Sequence, residues 1–224
     1  MAVLRSVVPG YAGGVQQDSD TAEAVGGAMQ ADGGLAEADE LRWRQHGERV
    51  VYDNPWVRLT MVDVTPPNGQ RFEHHVVRLQ RVAMAVVVDE QDRVLLLWRH
   101  RFVTDSWGWE LPGGIVEDGE APEKTAVRET VEETGWCPRS VHKLVEFQPM
   151  PGMVDTPHEV FLARGADHVG EPSDTEEAAV LRWVPLVEVP ALIAQGFIAG
   201  AGSLVGLLQV IAGGVGQSQG AQAP

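Results

Sequence analysis

Cysteine is nearly absent from this chain. Cys137 is the single thiol among 224 residues, so no disulfide can form within it. No cysteine-protease pattern surrounds it, and a structural thiol just after a helix is the expectation. A chain built this way suits a reducing cytoplasm. Positive charge is also scarce, with 17 Lys and Arg against 32 Asp and Glu, a net −15. That balance excludes general affinity for nucleic acid or for anionic membranes. An anionic small-molecule substrate would need a metal ion and local arginines to overcome the repulsion. Uninterrupted apolar runs are missing too. Residues 189–224 carry no charge, but Pro190, Gln195, Gln209 and many glycines break the stretch, and no basic flank marks a cytoplasmic side. It is expected to form a buried pair of terminal helices with a flexible tail, not a membrane span. Near the amino terminus Arg5 is followed by no sustained apolar core, so no secretory leader is expected.

What remains is enough for one ordinary domain, since 44% of the residues are apolar. Residues 1–40 are rich in Gly, Ala and Gln without periodicity, which predicts a disordered extension. The domain is expected over 41–212, with a flexible tail over 213–224. Strands are predicted at Val50–Tyr52, Trp56–Val64, Phe72–Leu79, Val82–Asp89, Val94–Trp98, Ser140–Glu146, His158–Ala163 and Val180–Leu186. The near-continuous apolar runs of the 82–98 hairpin point to strands covered on both faces. Adjacent His74 and His75 would face opposite sides of a strand, which argues against a shared metal. Short helices are predicted at Glu188–Gln195 and Ser203–Ile211.

The chemistry concentrates in Gly113–Trp136. Pro122 opens a helix, acidic residues crowd its amino end, and Gly135 stops it. On that helix Glu129 and Glu133 are four residues apart, and Glu132 is three from Glu129, so the three carboxylates point to roughly one side. Like charges at this spacing repel, and a hard divalent cation, Mg²⁺ or Mn²⁺, is the reason that suits oxygen ligands. Gly113 and Gly114 would let the backbone approach and offer a carbonyl as a further ligand. A solvated acidic helix face is the plainer alternative. Upstream, Arg99 and Arg101 stand beside aromatic residues and could grip phosphate while a ring stacks on a base or sugar.

The spacing Gly114, five residues, Glu120, seven residues, then Arg128-Glu129-Thr130-Val131-Glu132-Glu133-Thr134-Gly135-Trp136 resembles the Nudix box. The single departure is Thr130, where that family usually has an aliphatic residue. The resemblance implies a Nudix α/β/α sandwich, an α/β fold with a mixed sheet between helices, and a pyrophosphohydrolase. It implies metal held by Glu120, Glu129, Glu132, Glu133 and the Gly113 carbonyl, with Arg128 pairing with Glu120 or Glu132. Arg99-His100-Arg101, the Glu110-Leu111-Pro112-Gly113-Gly114 segment and Pro151, fifteen residues beyond Trp136, resemble the ADP-ribose pyrophosphatase subgroup. On that likeness the substrate is a nucleoside diphosphate joined to a second moiety, with ADP-ribose giving AMP and ribose 5-phosphate as the leading case. Other Nudix substrates (nucleotide sugars, dinucleotides, oxidised nucleoside triphosphates) and a non-catalytic Nudix-like binding module are the alternatives. Arg99, Arg101, Glu110 and Trp107 are the substrate-side candidates. Glu110 could approach the metal or the ribose, or hold its loop; of Trp107 and Trp109, one would be core and the other would line the pocket. The water's proton would go to Asp155 or to a box glutamate, with Glu159 the other acid weighed for the downstream position. The subgroup also implies a homodimer in which residues 41–65 help build the partner's pocket.

Overall fold

The computed structural model describes residues 41–174 and 180–213, and a compact unit begins at Trp43. The expected extension over 1–40 and nearly all of the expected tail lie outside the described residues.

The central sheet is assembled from the most apolar segments. Strands β4 (Val82–Val88) and β5 (Arg93–Arg101) form a hairpin whose turn is closed by the Asp89 carboxylate, which accepts from the backbone N–H of Gln91 and of Arg93. The two strands pair at Val88–Val94 and then separate. Into the gap goes the segment 106–115, where β6 (Ser106–Glu110) pairs with β5 and β7 (Gly113–Ile115) pairs with β4. The predicted strands did not include this wedge, because its Gly and Pro content hides the period-2 pattern. β11 (His158–Arg164) lies parallel to β4, while β9 (Val141–Phe147) and β13 (Val180–Pro185) add antiparallel edges, so the sheet is mixed. The strands pack as expected of apolar runs covered twice. One face carries Val86, Val88, Leu96 and Val160, packed with Leu207; the other carries the smaller set Ala83, Ala85, Val87 and Ala163, packed with Ala126.

Helix α1 (Pro122–Thr134) covers the small-residue face. It begins at a first-turn proline and ends at Gly135, whose φ of 73° is left-handed and whose N–H reaches the Val131 carbonyl. Thr130, the departure from the box pattern, is fully buried, and its hydroxyl donates to the Ala126 carbonyl at 2.6 Å. That bond satisfies the polar atom within the helix, so the substitution leaves no unpaired donor. The opposite face is covered by α2 (Val189–Ala194) and α3 (Ala201–Ala212). No helix among the described residues is long and apolar enough to cross a membrane.

A second sheet runs β1 (Arg44–Asp53), β2 (Arg58–Thr65), β3 (Phe72–Arg78) and β10 (Val154–Asp155). Trp56, expected within a strand, instead sits in the β1–β2 turn, where the Asn54 side chain accepts from the N–H groups of Trp56 and Val57. Every residue of β1 is exposed. A short ladder of β8 (Trp136–Pro138) and β12 (Ala166–His168) completes the chain.

Candidate active site

Gly113 and Gly114 carry the close approach between the wedge and α1. A Cβ on Gly114 would stand 2.5 Å from the Glu129 carboxylate carbon, and one on Gly113 would stand 2.4 Å from Met84 Cβ. No side chain fits at Gly113, and one at Gly114 would push the Glu129 carboxylate away, so with glycine at both places Glu129 lies directly on the backbone of β7. The Gly113 N–H donates to Glu133 Oε2 at 3.0 Å.

Arg128 sits among the acids. It donates to Glu120 Oε1 at 3.1 Å, to Glu129 Oε1 at 2.7 Å and to Glu132 Oε2 at 3.0 Å. The guanidinium hydrogen bonds, followed by that of the Thr125 hydroxyl, hold the Glu120 carboxyl down to about 2. In turn the Glu120 hydrogen bonds push Arg128 above its ordinary value. Three carboxylates against one guanidinium leave these four side chains with two net negative charges, which a divalent cation would neutralise.

Glu133 shares the glycine pair with Glu129 but is the buried member. It is 3% exposed and turned inward, where Arg99 Nη2 donates to its Oε1 at 2.6 Å. Arg99 was expected to grip phosphate, but it is 2% exposed and serves Glu133 as a buried counter-charge. A carboxylate taken from water to this depth requires such a partner. Among the described residues no three His, Cys, Asp or Glu side chains stand ready as a metal cage. The acids are closed on Arg128 and Arg99. The donor set still fits a hard cation, because hard carboxylate oxygens crowd a cradle that the missing Gly114 side chain leaves open.

Strand alternation sorts the remaining candidates. Arg99 and Arg101 share the face of β5 that carries Leu95, the α1 face, and Glu110 lies opposite Leu97 on that same face. Arg101 Nη2 donates to Glu110 Oε2 at 2.6 Å. Trp107 belongs to the other face, with its ring on Trp98 at 6.1 Å and near His100 at 5.3 Å. It therefore approaches the groove from the opposite side of the ribbon to Arg101 and Glu110. A groove of about 630 Å³ at the ribbon tip touches both faces, with Arg101 and Glu110 on one side and Trp107 on the other. Trp109 packs against the aliphatic cluster, whereas Trp107 is half-exposed.

Asp155 is not brought to the carboxylates of α1. It lies at the margin of the second sheet, held by Arg78 at 3.1 Å and Gln148 at 3.0 Å. Glu159 is the better-placed acid. It alternates with Phe161 and Ala163 on the α1 face, and register sets it beside Ala83, whose other neighbour is Gly114. Glu159 thus lies two strand spacings from Gly114, about 10 Å between backbones. It is buried, with Arg81 at 3.3 Å and Lys143 at 2.9 Å. Period-2 alternation from Phe161 was the signal for it in the sequence; the Pro-Gly segment before it drew attention to Asp155 instead.

An acidic helix laid on a glycine pair at a strand junction is the arrangement that the Nudix box describes. Residues 78–200, more than half the chain, match the family model for the NUDIX domain, and the chain belongs to the Nudix family. It is a Nudix pyrophosphohydrolase, of the kind that acts on nucleoside diphosphate-linked compounds. Family members generally work with a divalent metal ion. Among relatives, a CMP-5'-(N-acetyl-N-hydroxy-3-aminopropyl)phosphonate hydrolase of Streptomyces rubellomurinus is 49% identical over 80% of this chain and 88% of its own. An ADP-ribose pyrophosphatase of Mycobacterium tuberculosis is 30% identical over 66% of this chain and 72% of its own. A crystal structure of an ADP compounds hydrolase aligns with a TM-score of 0.69 over 79% of this chain and 96% of that one. At 19% identity this likeness is one of fold.

Proposed function

We propose that the protein hydrolyses the phosphorus anhydride joining a nucleoside 5'-monophosphate to a second moiety, with Mg²⁺ or Mn²⁺. The observation that carries this reading is the Glu129 carboxylate seated on the bare backbone of Gly114, beside Glu133 bonded to the Gly113 N–H. Glu129, Glu132, Glu133, Glu120 and the Gly113 carbonyl would hold the metal. When bound, it would supply charge neutralisation on the diphosphate oxygens and an acidified water. Arg128 fixes the orientation of Glu120, Glu129 and Glu132, and Arg101 meets an anionic group of the substrate. A box glutamate or Glu159 takes the water's proton, Glu159 being favoured over Asp155 by its place on the α1 face.

The second moiety distinguishes two readings. The 49% identity to a CMP-phosphonate hydrolase favours a CMP-linked phosphonate. ADP-ribose, expected from the sequence, is supported by the ADP-ribose pyrophosphatase relatives and yields AMP and ribose 5-phosphate. The uniformly exposed β1 strand supports a homodimer through residues 41–65, and the single cysteine suits the cytoplasm. A substrate panel of CMP-phosphonate, ADP-ribose, other nucleotide sugars and nucleoside triphosphates, with Mg²⁺ and Mn²⁺, tests the reading by product analysis. Turnover of one of the first two at least about tenfold faster than the triphosphates is expected. No turnover of any of them overturns it. A monomer on gel filtration removes the dimer.

A further inference from the structure

Four side chains of alternating charge run from the surface groove to α1. Arg101, half-exposed at the groove, donates to Glu110 Oε2 at 2.6 Å. The same oxygen lies 3.9 Å from Arg99 Nε, and Arg99 Nη2 donates to Glu133 Oε1 at 2.6 Å. Glu133 Oε2 ends the line on the Gly113 N–H. All four side chains occupy the α1 side of the β5–β6 ribbon, and Arg99 and Glu133 at the inner end are buried.

This arrangement sets up a competition. Glu133 would help to hold the metal in the reading above, on which this inference rests, yet in this structure its Oε1 is occupied by a guanidinium. A buried guanidinium is costly to leave without a carboxylate. Glu110 is already within 3.9 Å of Arg99, and a shift of about 1 Å would turn that approach into a hydrogen bond. What holds Glu110 back is its pair with Arg101, and Arg101 is the exposed member that an incoming anion meets first.

We propose that Glu110 is a shuttle carboxylate that makes metal binding depend on substrate. When a phosphate of the nucleotide takes Arg101, Glu110 crosses to Arg99, and Arg99 yields Glu133 Oε1 to the cation. Glu110 and Arg99 are then positioning residues. Metal and nucleotide strengthen each other's binding by one common factor, as linkage requires. An enzyme without substrate would hold its metal weakly.

The test uses the full chain and equilibrium binding without turnover. Mn²⁺ affinity is measured by calorimetry with and without saturating 5'-CMP or 5'-AMP, neither of which contains an anhydride to cleave. In the unaltered protein the nucleotide is expected to tighten Mn²⁺ by about fivefold or more. In Glu110→Gln the nucleotide should still bind, because Arg101 is released, but the factor should fall to near one. Arg101→Gln, which leaves Glu110 free to cross, should bind Mn²⁺ more tightly than the unaltered protein when no nucleotide is present. A full factor in Glu110→Gln overturns the shuttle, since the coupling would then come from direct contact between phosphate and cation. Loss of nucleotide binding in that variant, or unchanged or weaker Mn²⁺ binding in Arg101→Gln, also overturns it. If the unaltered protein binds neither Mn²⁺ nor nucleotide, the metal-dependent reading itself fails.

Discussion

Helices α1 and α3 press on opposite faces of one sheet with different materials. α1 carries Glu123, Lys124, Arg128, Glu129, Glu132 and Glu133; α3 carries no charge at all. Beneath α3 lie Val86, Leu96, Leu111 and Val160, whereas beneath α1 lie Ala83, Ala85 and Ala163 with the larger Phe161. Large aliphatic groups stabilise by removing surface from water, which makes the α3 face the adhesive one. Small residues under α1 bring helix and sheet backbones close, so glutamates can reach the glycine pair. One sheet thus separates cohesion from chemistry, and a change on one face should be felt mainly in one property.

The largest effect is expected from Glu129→Gln and Glu133→Gln. Each should lower turnover on the order of a thousandfold while circular dichroism stays that of the folded protein. Full activity in either variant breaks the assignment of α1 as the chemical face. On the other face, Leu207→Ala should lower the unfolding free energy by about 2–5 kcal/mol in denaturant titrations. The folded fraction should keep kcat within about twofold.

Two acids from the downstream segment sharpen the contrast. Glu159→Gln should reduce kcat by about tenfold or more, because its carboxylate lies on the α1 face. Asp155→Asn should stay within about twofold, and loss of its half-exposed pair with Arg78 should change stability by no more than about 1 kcal/mol. The reverse ranking would restore Asp155.

Smallest of all is the pH effect of Glu120. Its carboxyl is depressed from an ordinary 4.5 to about 2 by the Arg128 and Thr125 hydrogen bonds. A depressed carboxyl stabilises the fold fully above its unfolded value, and that contribution disappears as pH falls through the folded one. The Tm difference between the unaltered protein and Glu120→Gln should therefore be constant above about pH 5 and shrink to near zero by about pH 2. A difference that grows on acidification would refute the pairing.

Much of this could be read in advance, and the exceptions share a cause. The α1 helix, its proline start, its glycine stop and the acidic register all depend on neighbours within a few residues. The same holds for the apolar hairpin of β4 and β5. The β6–β7 wedge was hidden because its strands are short and interrupted by Leu111-Pro112, and they exist only in the gap between β4 and β5. Arg99 reads as a phosphate-gripping arginine because nothing nearby in sequence announces Glu133, 34 residues away. Trp107 and Arg101 both read as substrate-side residues; alternation puts them on opposite faces of the ribbon, and one groove touches both.

Sequence alone determined the α1 box, the family it belongs to and the charge that calls for a cation, because helical spacing and the Gly-Glu-Arg register are properties of one continuous stretch. Only the folded chain decided which carboxylate is buried, which arginine it keeps, and that Glu159 rather than Asp155 shares the face of Gly114. Those outcomes depend on strands brought together from distant parts of the chain, where burial makes each charge select a partner that local spacing does not specify.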